Sequence, residues 1–199
     1  MSTLTAKGRA TRERIVAAAA ELMHEQGVAV TSIDEVKTAA GVSSSQLYHY
    51  FADKDALVRA VVAHQAEQVL TFQETELAEV DGVVALRTWR DRVVAANRRF
   101  GPEGGCPVGS LASELTDRDP GHREALGAAF DRWEAAIRDC VTRMRDRGAL
   151  APGADPAVLA TGLLAALQGG LLLAQVRRSS APLATALDQA IDHIALLAS

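Results

Sequence analysis

Aromatic side chains are scarce in this chain, only 4% of its 199 residues. Val, Ile, Tyr and Phe never gather into alternating runs, so no segment reads as a β-strand. Cysteine is nearly absent. The two present, Cys106 and Cys140, have neither metal-ligand spacing nor the pattern of a disulfide framework. The histidines (24, 49, 64, 122 and 193) lie far apart, and none has a second ligand at helical spacing, so no metal site is expected. Catalytic signatures are missing as well. Gly101–Gly105 lacks the Gly-Lys-Ser/Thr ending of a phosphate loop, so neither catalytic residues nor a cofactor is expected and the chain is not read as an enzyme. No secretory leader stands at the N-terminus, which makes the reducing cytoplasm the expected compartment.

What is present is helix-forming. Apolar residues make up 48% of the chain, much of it Ala and Leu, and the expected fold class is all-α. Net charge is −4, which excludes a globally basic nucleic-acid binder. The charge is uneven, however. Residues 1–60 carry seven basic and seven acidic side chains, and residues 61–199 carry the whole deficit. In the first 14 residues, Lys7, Arg9, Arg12 and Arg14 face a single acid, Glu13. Any contact with a polyanion would be local, in the first quarter of the chain.

Punctuation along the chain divides it into helices. Residues 1–10 read as a polar arm, and Thr11 reads as the cap of a first helix ending at Gly27. Ser32-Ile33-Asp34-Glu35 and Ser43-Ser44-Ser45-Gln46 are both capping-box sequences, and Asp53 is placed to cap a third start. Three helix starts within 22 residues, separated by short turns, are unusual in a general-purpose bundle. Longer helices follow: Val83 to Phe100, a short one from Val108 to Leu115, and one from Asp119-Pro120 to about Arg147. Asp155-Pro156 then opens a helix uncharged from Ala157 to Val176, and Pro182 lies near the start of the last.

The clustered starts specify a chemistry. A helix-turn-helix needs a short helix, a tight turn and a second helix presenting small or polar side chains to a DNA groove. Ser32–Ala40, Gly41-Val42 and Ser43–Tyr50 meet that description, with Val36, Val42 and Leu47 holding the angle. The outward positions of the second helix are Ser44, Ser45, Gln46, Tyr48 and His49. Gln46 could pair with adenine or touch phosphate, although Ser43 and Gln46 could equally do no more than cap their own helix. Lys54, at the next helix start, suits phosphate. Tyr48 and Tyr50 are either phosphate contacts or partly packed, and His49 is a phosphate contact or simply solvated.

The run Thr31-Ser32-Ile33-Asp34-Glu35-Val36, Ala40-Gly41-Val42-Ser43, Leu47-Tyr48-His49-Tyr50-Phe51 and Asp53-Lys54-Asp55-Ala56-Leu57 resembles the DNA-binding signature of TetR-type regulators over roughly residues 11–60. Gly105-Cys106-Pro107-Val108-Gly109-Ser110-Leu111-Ala112-Ser113-Glu114-Leu115 resembles a motif of the drug- and flavonoid-responsive LmrA-like subgroup. The resemblance implies a three-helix DNA-binding domain over residues 1–52. Residues 53–199 would form a helical ligand-binding and dimerisation domain. It also implies a repressor that binds a palindromic double-stranded operator as a homodimer and is released by a small apolar or aromatic inducer. Thr31 and Ser43 would contact phosphate, Ser44, Ser45 and Gln46 would face bases, and Tyr48, Tyr50 and Lys54 would hold the backbone. Ser45 stands where many members carry Gly, which changes how closely the helix can approach DNA.

In the C-terminal half, Trp89, Phe100, Phe130 and Trp133 are the large groups available to line an apolar ligand pocket. Gln168 is either a polar anchor in that pocket or a bond to a dimer partner. Cys106 follows a Gly-rich break near a helix start, so its thiol is either redox-sensitive or packed, with packing the ordinary outcome. The stripes Leu159, Leu163, Leu167, Leu171 and Leu183, Leu187, Ile191, Ile194 are expected at a four-helix interface between two copies. The uncharged helix has the length of a membrane span, but Gln168 and Gln175 interrupt it, so a buried helix and no membrane partner are expected. The alternative is a helical protein-interaction or membrane-associated module without DNA binding. It accounts for the acidic total and the uncharged helix but not for the clustered helix starts.

Overall fold

In the computed structural model, which describes residues 5–198, the described residues form nine α-helices and one 3-10 turn, with no strand beyond an isolated bridge. The helices are α1 (Ala6–Gln26), α2 (Ile33–Ala40), α3 (Ser44–Tyr50), α4 (Lys54–Ala78), α5 (Val83–Phe100), α6 (Pro107–Leu115), α7 (Pro120–Asp146), α8 (Pro156–Arg177) and α9 (Ala181–Ala195). The 3-10 turn, Pro102–Gly104, occupies the glycine-rich break. The all-α expectation holds.

Most helix starts follow from the caps in the sequence. Asp53 Oδ1 accepts from the Ala56 amide at 2.7 Å, Asp119 Oδ1 from the Gly121 and His122 amides at 2.8 and 3.1 Å, and Asp155 Oδ1 from Ala157 at 2.9 Å. The first helix is the exception. It begins at Ala6, not after Thr11, and the Thr5 hydroxyl accepts from the Gly8 amide at 3.1 Å. Thr11 lies inside the helix, and its hydroxyl donates back to the Lys7 carbonyl at 3.0 Å. The expected polar arm is therefore helical from residue 6 on, and residues 1–4 lie outside the described residues.

The chain divides into two compact units. One takes in residues up to Gln68 together with Ser110–Leu126, and the other Val69–Gly109 with the described residues from Gly127 on. The division falls inside α4, beyond the helix boundary at residue 53 that punctuation suggests. The first unit is built around Ile15, Val36, Leu47, Leu57 and Val61, all fully buried. In the second, α8 packs on α9, and Gly170 allows the close approach: a Cβ there would stand 2.9 Å from the Leu183 Cα. Around this pair, Arg87 and Arg90 of α5 bind Asp192 and Asp188 of α9, and buried Ser180 donates to buried Asn97 at 2.6 Å.

The two leucine stripes have a different role from the one expected. Leu159, Leu163, Leu167, Leu183, Leu187, Ile191 and Ile194 are all buried within the single chain, and Leu171 is half-buried. They form the seam of α8 on its own neighbours, not a surface left for a second copy. The face α8 leaves open carries Val158, Gly162, Ala165, Gly169, Leu172, Leu173 and Val176, with Val158, Leu172 and Val176 60–75% exposed. The helix is apolar on nearly every side, so Leu159, Leu163 and Leu167 take the interior while small residues, two valines, Leu172 and Leu173 are left outside. By length and composition α8 could cross a membrane, but one long face of it is packed against protein.

Candidate functional site

The helix-turn-helix segment is built almost entirely from hydrogen bonds that its sequence announces. Ser32 Oγ accepts from the Glu35 amide at 3.2 Å, and Glu35 Oε2 returns to accept from the Ser32 amide at 2.8 Å. These bonds hold the Glu35 carboxyl below the usual carboxylate range, the Ser32 amide contributing most. Gly41 ends α2 at φ +62°, a left-handed conformation that only a residue without Cβ adopts cheaply. Two residues on, Ser43 Oγ accepts from the Gln46 amide at 3.2 Å, and Gln46 Oε1 accepts from the Ser43 amide at 2.9 Å. Each short helix is thus closed at its start by a reciprocal pair. Buried Val36 and Leu47 and half-buried Val42 fix the angle between them.

That angle leaves a ridge in solvent. Ser43, Ser44, Ser45, Gln46, Tyr48 and His49 are all exposed, Tyr48 by 54%, whereas Tyr50 is half-buried with the His49 ring edge-on at 5.0 Å. The Ser43 and Ser45 hydroxyls lie 3.0 Å apart, so Ser45 is turned toward the cap. Lys54 is half-buried, and its ammonium donates to the Ala29 carbonyl at 3.5 Å. Thr31 departs from the rest. It is 1% exposed, and its hydroxyl donates to the Gly27 carbonyl at 2.8 Å. A phosphate contact from that hydroxyl is incompatible with this placement, and its role is to close the turn after α1.

Three contacts here were not foreseen. Arg14 Nε donates to the Ala40 carbonyl at 2.9 Å, satisfying the last carbonyl of α2. The Arg12 guanidinium lies 5.2 Å above the Phe51 ring. Two of the four basic groups counted as a polyanion contact are therefore engaged in positioning α2 and α3. Glu114 of α6 accepts from the Val28 amide at 3.0 Å, bracing the loop that leads into α2. The sequence signal for Arg14 and Glu114 was only a charge at helical spacing, and their partners lie 26 and 86 residues away.

The six residues expected around a ligand do not form one group. Phe100 is 80% exposed with Arg99 over its ring, and Trp89 is fully packed, its indole N–H donating to buried Gln73 at 3.0 Å. Neither is placed to line an enclosed pocket. Phe130 and Trp133 stack at 6.4 Å, and Trp133 Nε1 is buried without a hydrogen-bond partner. Cys106 and Gln168 do come together. A Cβ on Gly109 would lie 3.0 Å from Gln168 Oε1 and 3.2 Å from the Cys106 Cβ, and Gln168 Nε2 is buried with no hydrogen bond of its own. One turn earlier, Gly105 at φ +64° would place a Cβ 2.8 Å from Gln175 Oε1. The Gly-Cys-Pro-Val-Gly sequence is thus the surface against which two amides of α8, seven residues apart, are seated. Burial pushes the Cys106 thiol up, which fits the packed alternative and not a thiol activated by a helix start. Two open grooves lie in this unit, one lined by Glu74, Arg132 and Arg143 and one by Leu173, Pro182 and Ala186. Neither takes in any of the six.

Two protein-family models match this chain. The model for bacterial regulatory proteins of the tetR family matches residues 15–61, and the tetracyclin repressor-like C-terminal domain matches residues 82–190. An uncharacterized HTH-type transcriptional regulator of Mycobacterium tuberculosis is 31% identical over 86% of this chain and 88% of its own length. The regulator LmrA of Bacillus subtilis is 23% identical over 87% of this chain and 90% of its own. A crystal structure of a TetR transcriptional regulator from Chloroflexus aurantiacus superimposes with a TM-score of 0.86 at 30% identity, covering 98% of both chains.

Proposed function

The chain belongs to the tetR family of bacterial regulatory proteins, and from that premise we propose that it is a repressor that grips a palindromic operator as a homodimer and releases it when a small molecule binds. It is a transcriptional regulator and not an enzyme. The observation that carries the proposal is the ridge Ser43–His49: short or hydrogen-bonding side chains, all exposed except buried Leu47, on a helix capped at its start. A helix pressed against base edges needs that combination. Ser44, Ser45 and Gln46 face bases. Ser43, Tyr48, His49, Tyr50 and Lys54 hold the phosphate backbone. Residues 1–52 act as the reading head, and residues 53–199 bind the ligand and dimerise.

The open face of α8 supports the homodimer. A stripe from Val158 to Val176, broken by Gly162 and Gly169, lets a second copy approach closely along a two-fold axis. Paired reading heads then meet half-sites about 34–36 Å apart, or a multiple of that. The inducer is apolar or aromatic and enters the C-terminal half, where the stacked pair Phe130–Trp133 and the pair Cys106–Gln168 each offer one buried donor without a partner. Helix α4, continuous from Lys54 to Ala78, transmits the change. Tenfold relief of repression requires the inducer to prefer the released conformer by about 1.4 kcal/mol. The regulator works in the cytoplasm, beside the DNA.

A titration of the full chain against the DNA upstream of its own gene, by mobility shift at moderate salt, tests the proposal. A sequence-specific complex with two chains per duplex is expected. Binding that ignores sequence, or no binding, overturns it.

A further inference from the structure

The open face of α8 has a spacing of its own. Val158, Gly162, Ala165, Gly169, Leu172 and Val176 are all exposed, and they follow one another at intervals of four, three, four, three and four residues. That is the repeat of a helix laid lengthwise on another at a shallow angle, not of a helix crossed at one point. The two glycines gain nothing from their own chain. Around Gly162 and Gly169 no described atom beyond the helix's own backbone lies within 4 Å, whereas Gly170 is pressed against Leu183. Glycine inside a helix weakens it, and the single chain offers no contact that offsets the loss at these two positions.

Resting on the homodimer reading above, we infer that α8 pairs with the α8 of a second copy, antiparallel and in one register, with Leu172 of each chain seated on Gly162 of the other. Under a two-fold axis, contact of one residue with another implies the reverse contact as well. The interval pattern reads the same in both directions, so the stripe can meet its own reversal. Every position is then covered, with Val158 opposite Val176, Gly162 opposite Leu172 and Ala165 opposite Gly169. Bulk matches in this register: the leucine faces a glycine, and alanine faces the other glycine at the centre. Charge matches too. Asp155 caps the start of α8, Arg177 and Arg178 stand at its end, and all three are exposed. The register brings the arginines of one copy to the aspartate of the other. A parallel pair would set like charges together at both ends. Sliding either copy by seven residues leaves two of the six positions beyond the end of the other helix, which spans Pro156–Arg177.

The test is oxidative cross-linking of the full chain carrying Gly162→Cys, Leu172→Cys or both. The two positions are ten residues apart, about 15 Å along a helix. That is too far for a disulfide within one chain, or between like positions of the antiparallel pair. On mild oxidation the double variant is expected to become mostly a covalent dimer, reversed by reductant, while each single variant stays uncrosslinked. Cys106 and Cys140 are buried and give the unreacted background. A reversal of bulk provides the second measurement, by sedimentation equilibrium. Gly162→Leu sets leucine against leucine and should weaken the dimer about tenfold, and adding Leu172→Ala should recover most of that loss. Single variants that cross-link to themselves, a double variant that stays uncrosslinked while the parent is dimeric, or no recovery on adding Leu172→Ala overturns the register and leaves the homodimer standing. A parent that sediments as a monomer at micromolar concentration overturns the homodimer reading and this inference with it.

Discussion

Helices α3 and α8 both leave one face uncovered, and the two faces are chemical opposites. The ridge on α3 is polar, with short hydroxyls and an amide already oriented by a cap. The open face of α8 is apolar from Val158 to Val176, with glycine at 162 and 169. Water satisfies the first face at little cost, so its partner must offer hydrogen bonds in return, as base edges do. The second face gains from losing water, and in the homodimer proposed above a twin of itself, equally apolar, would cover it. Exposure alone does not distinguish a DNA surface from a dimer surface; the chemistry of the exposed groups does.

The strongest way to break this comparison is to place a charge on α8. Leu172→Glu puts two carboxylates into one buried patch of a symmetric interface, which costs several kcal/mol. The dimer constant is expected to weaken by roughly three orders of magnitude, read by sedimentation, with helical content by circular dichroism unchanged. A Leu172→Glu protein that stays dimeric at micromolar concentration would mean that this face is not the one covered.

A glycine pair sharpens the assignment of faces. At Gly170 an added Cβ meets the Leu183 backbone, whereas at Gly169 nothing lies within 4 Å. Gly170→Ala should cost about 2 kcal/mol by forcing α8 from α9. Gly169→Ala should leave the isolated chain equal or up to about 1 kcal/mol more stable, since alanine favours helix. Both are measured by chemical denaturation in the Leu172→Glu background, where subunit exchange does not enter. Equal losses at the two positions would contradict the packing described.

These faces mark the limit of what the sequence disclosed. The starts of α2, α3, α4, α7 and α8 were legible because cap and capped residue lie within three positions of each other. The start of α1 was misplaced because Thr5 and Thr11 are both competent caps, and only one is used. The stripe Leu159, Leu163 and Leu167 is expected at an interface yet is buried within the chain, because periodicity needs contrast and a helix apolar all round provides none. Thr31 looked like a surface hydroxyl, but its position in the turn after α1 buries it. Arg14 and Glu114 look like any solvated charges, and their partners are set by the tertiary fold. The exposure of side chains on one short helix, such as Ser44, Gln46 and Tyr48, follows from its own pattern, whereas the placement of residues dispersed over several helices, such as Trp89 and Phe100, does not.

A smaller effect tests the polar side of the comparison. Ser43→Ala removes the oxygen that accepts from the Gln46 amide and should cost about 1 kcal/mol of stability. It also frees the Gln46 side chain, so base preference beneath it should broaden while preference elsewhere is kept. Unchanged unfolding would show that the cap contributes nothing to α3.

The smallest effect concerns the buried interior of the C-terminal unit. Cys106 and Cys140 are buried, and burial raises both thiols, Cys140 to about 11. A raised value in the folded state means that the unfolded chain gives up its protons first. Stability from this source is therefore complete below the ordinary thiol range near 9.0 and is lost as pH climbs through it toward 11. Neither thiolate is populated at neutral pH, and neither sulfur is open to solvent. The native protein should leave a thiol reagent unreacted at pH 8 over a period in which the denatured chain titrates two groups. Between pH 9 and 11 its unfolding midpoint should fall. Fast labelling of Cys106 in the native protein at pH 8 would mean that the seat formed by Gly109 and Gln168 opens readily, and the helix start would then have to be counted as a reactive site after all.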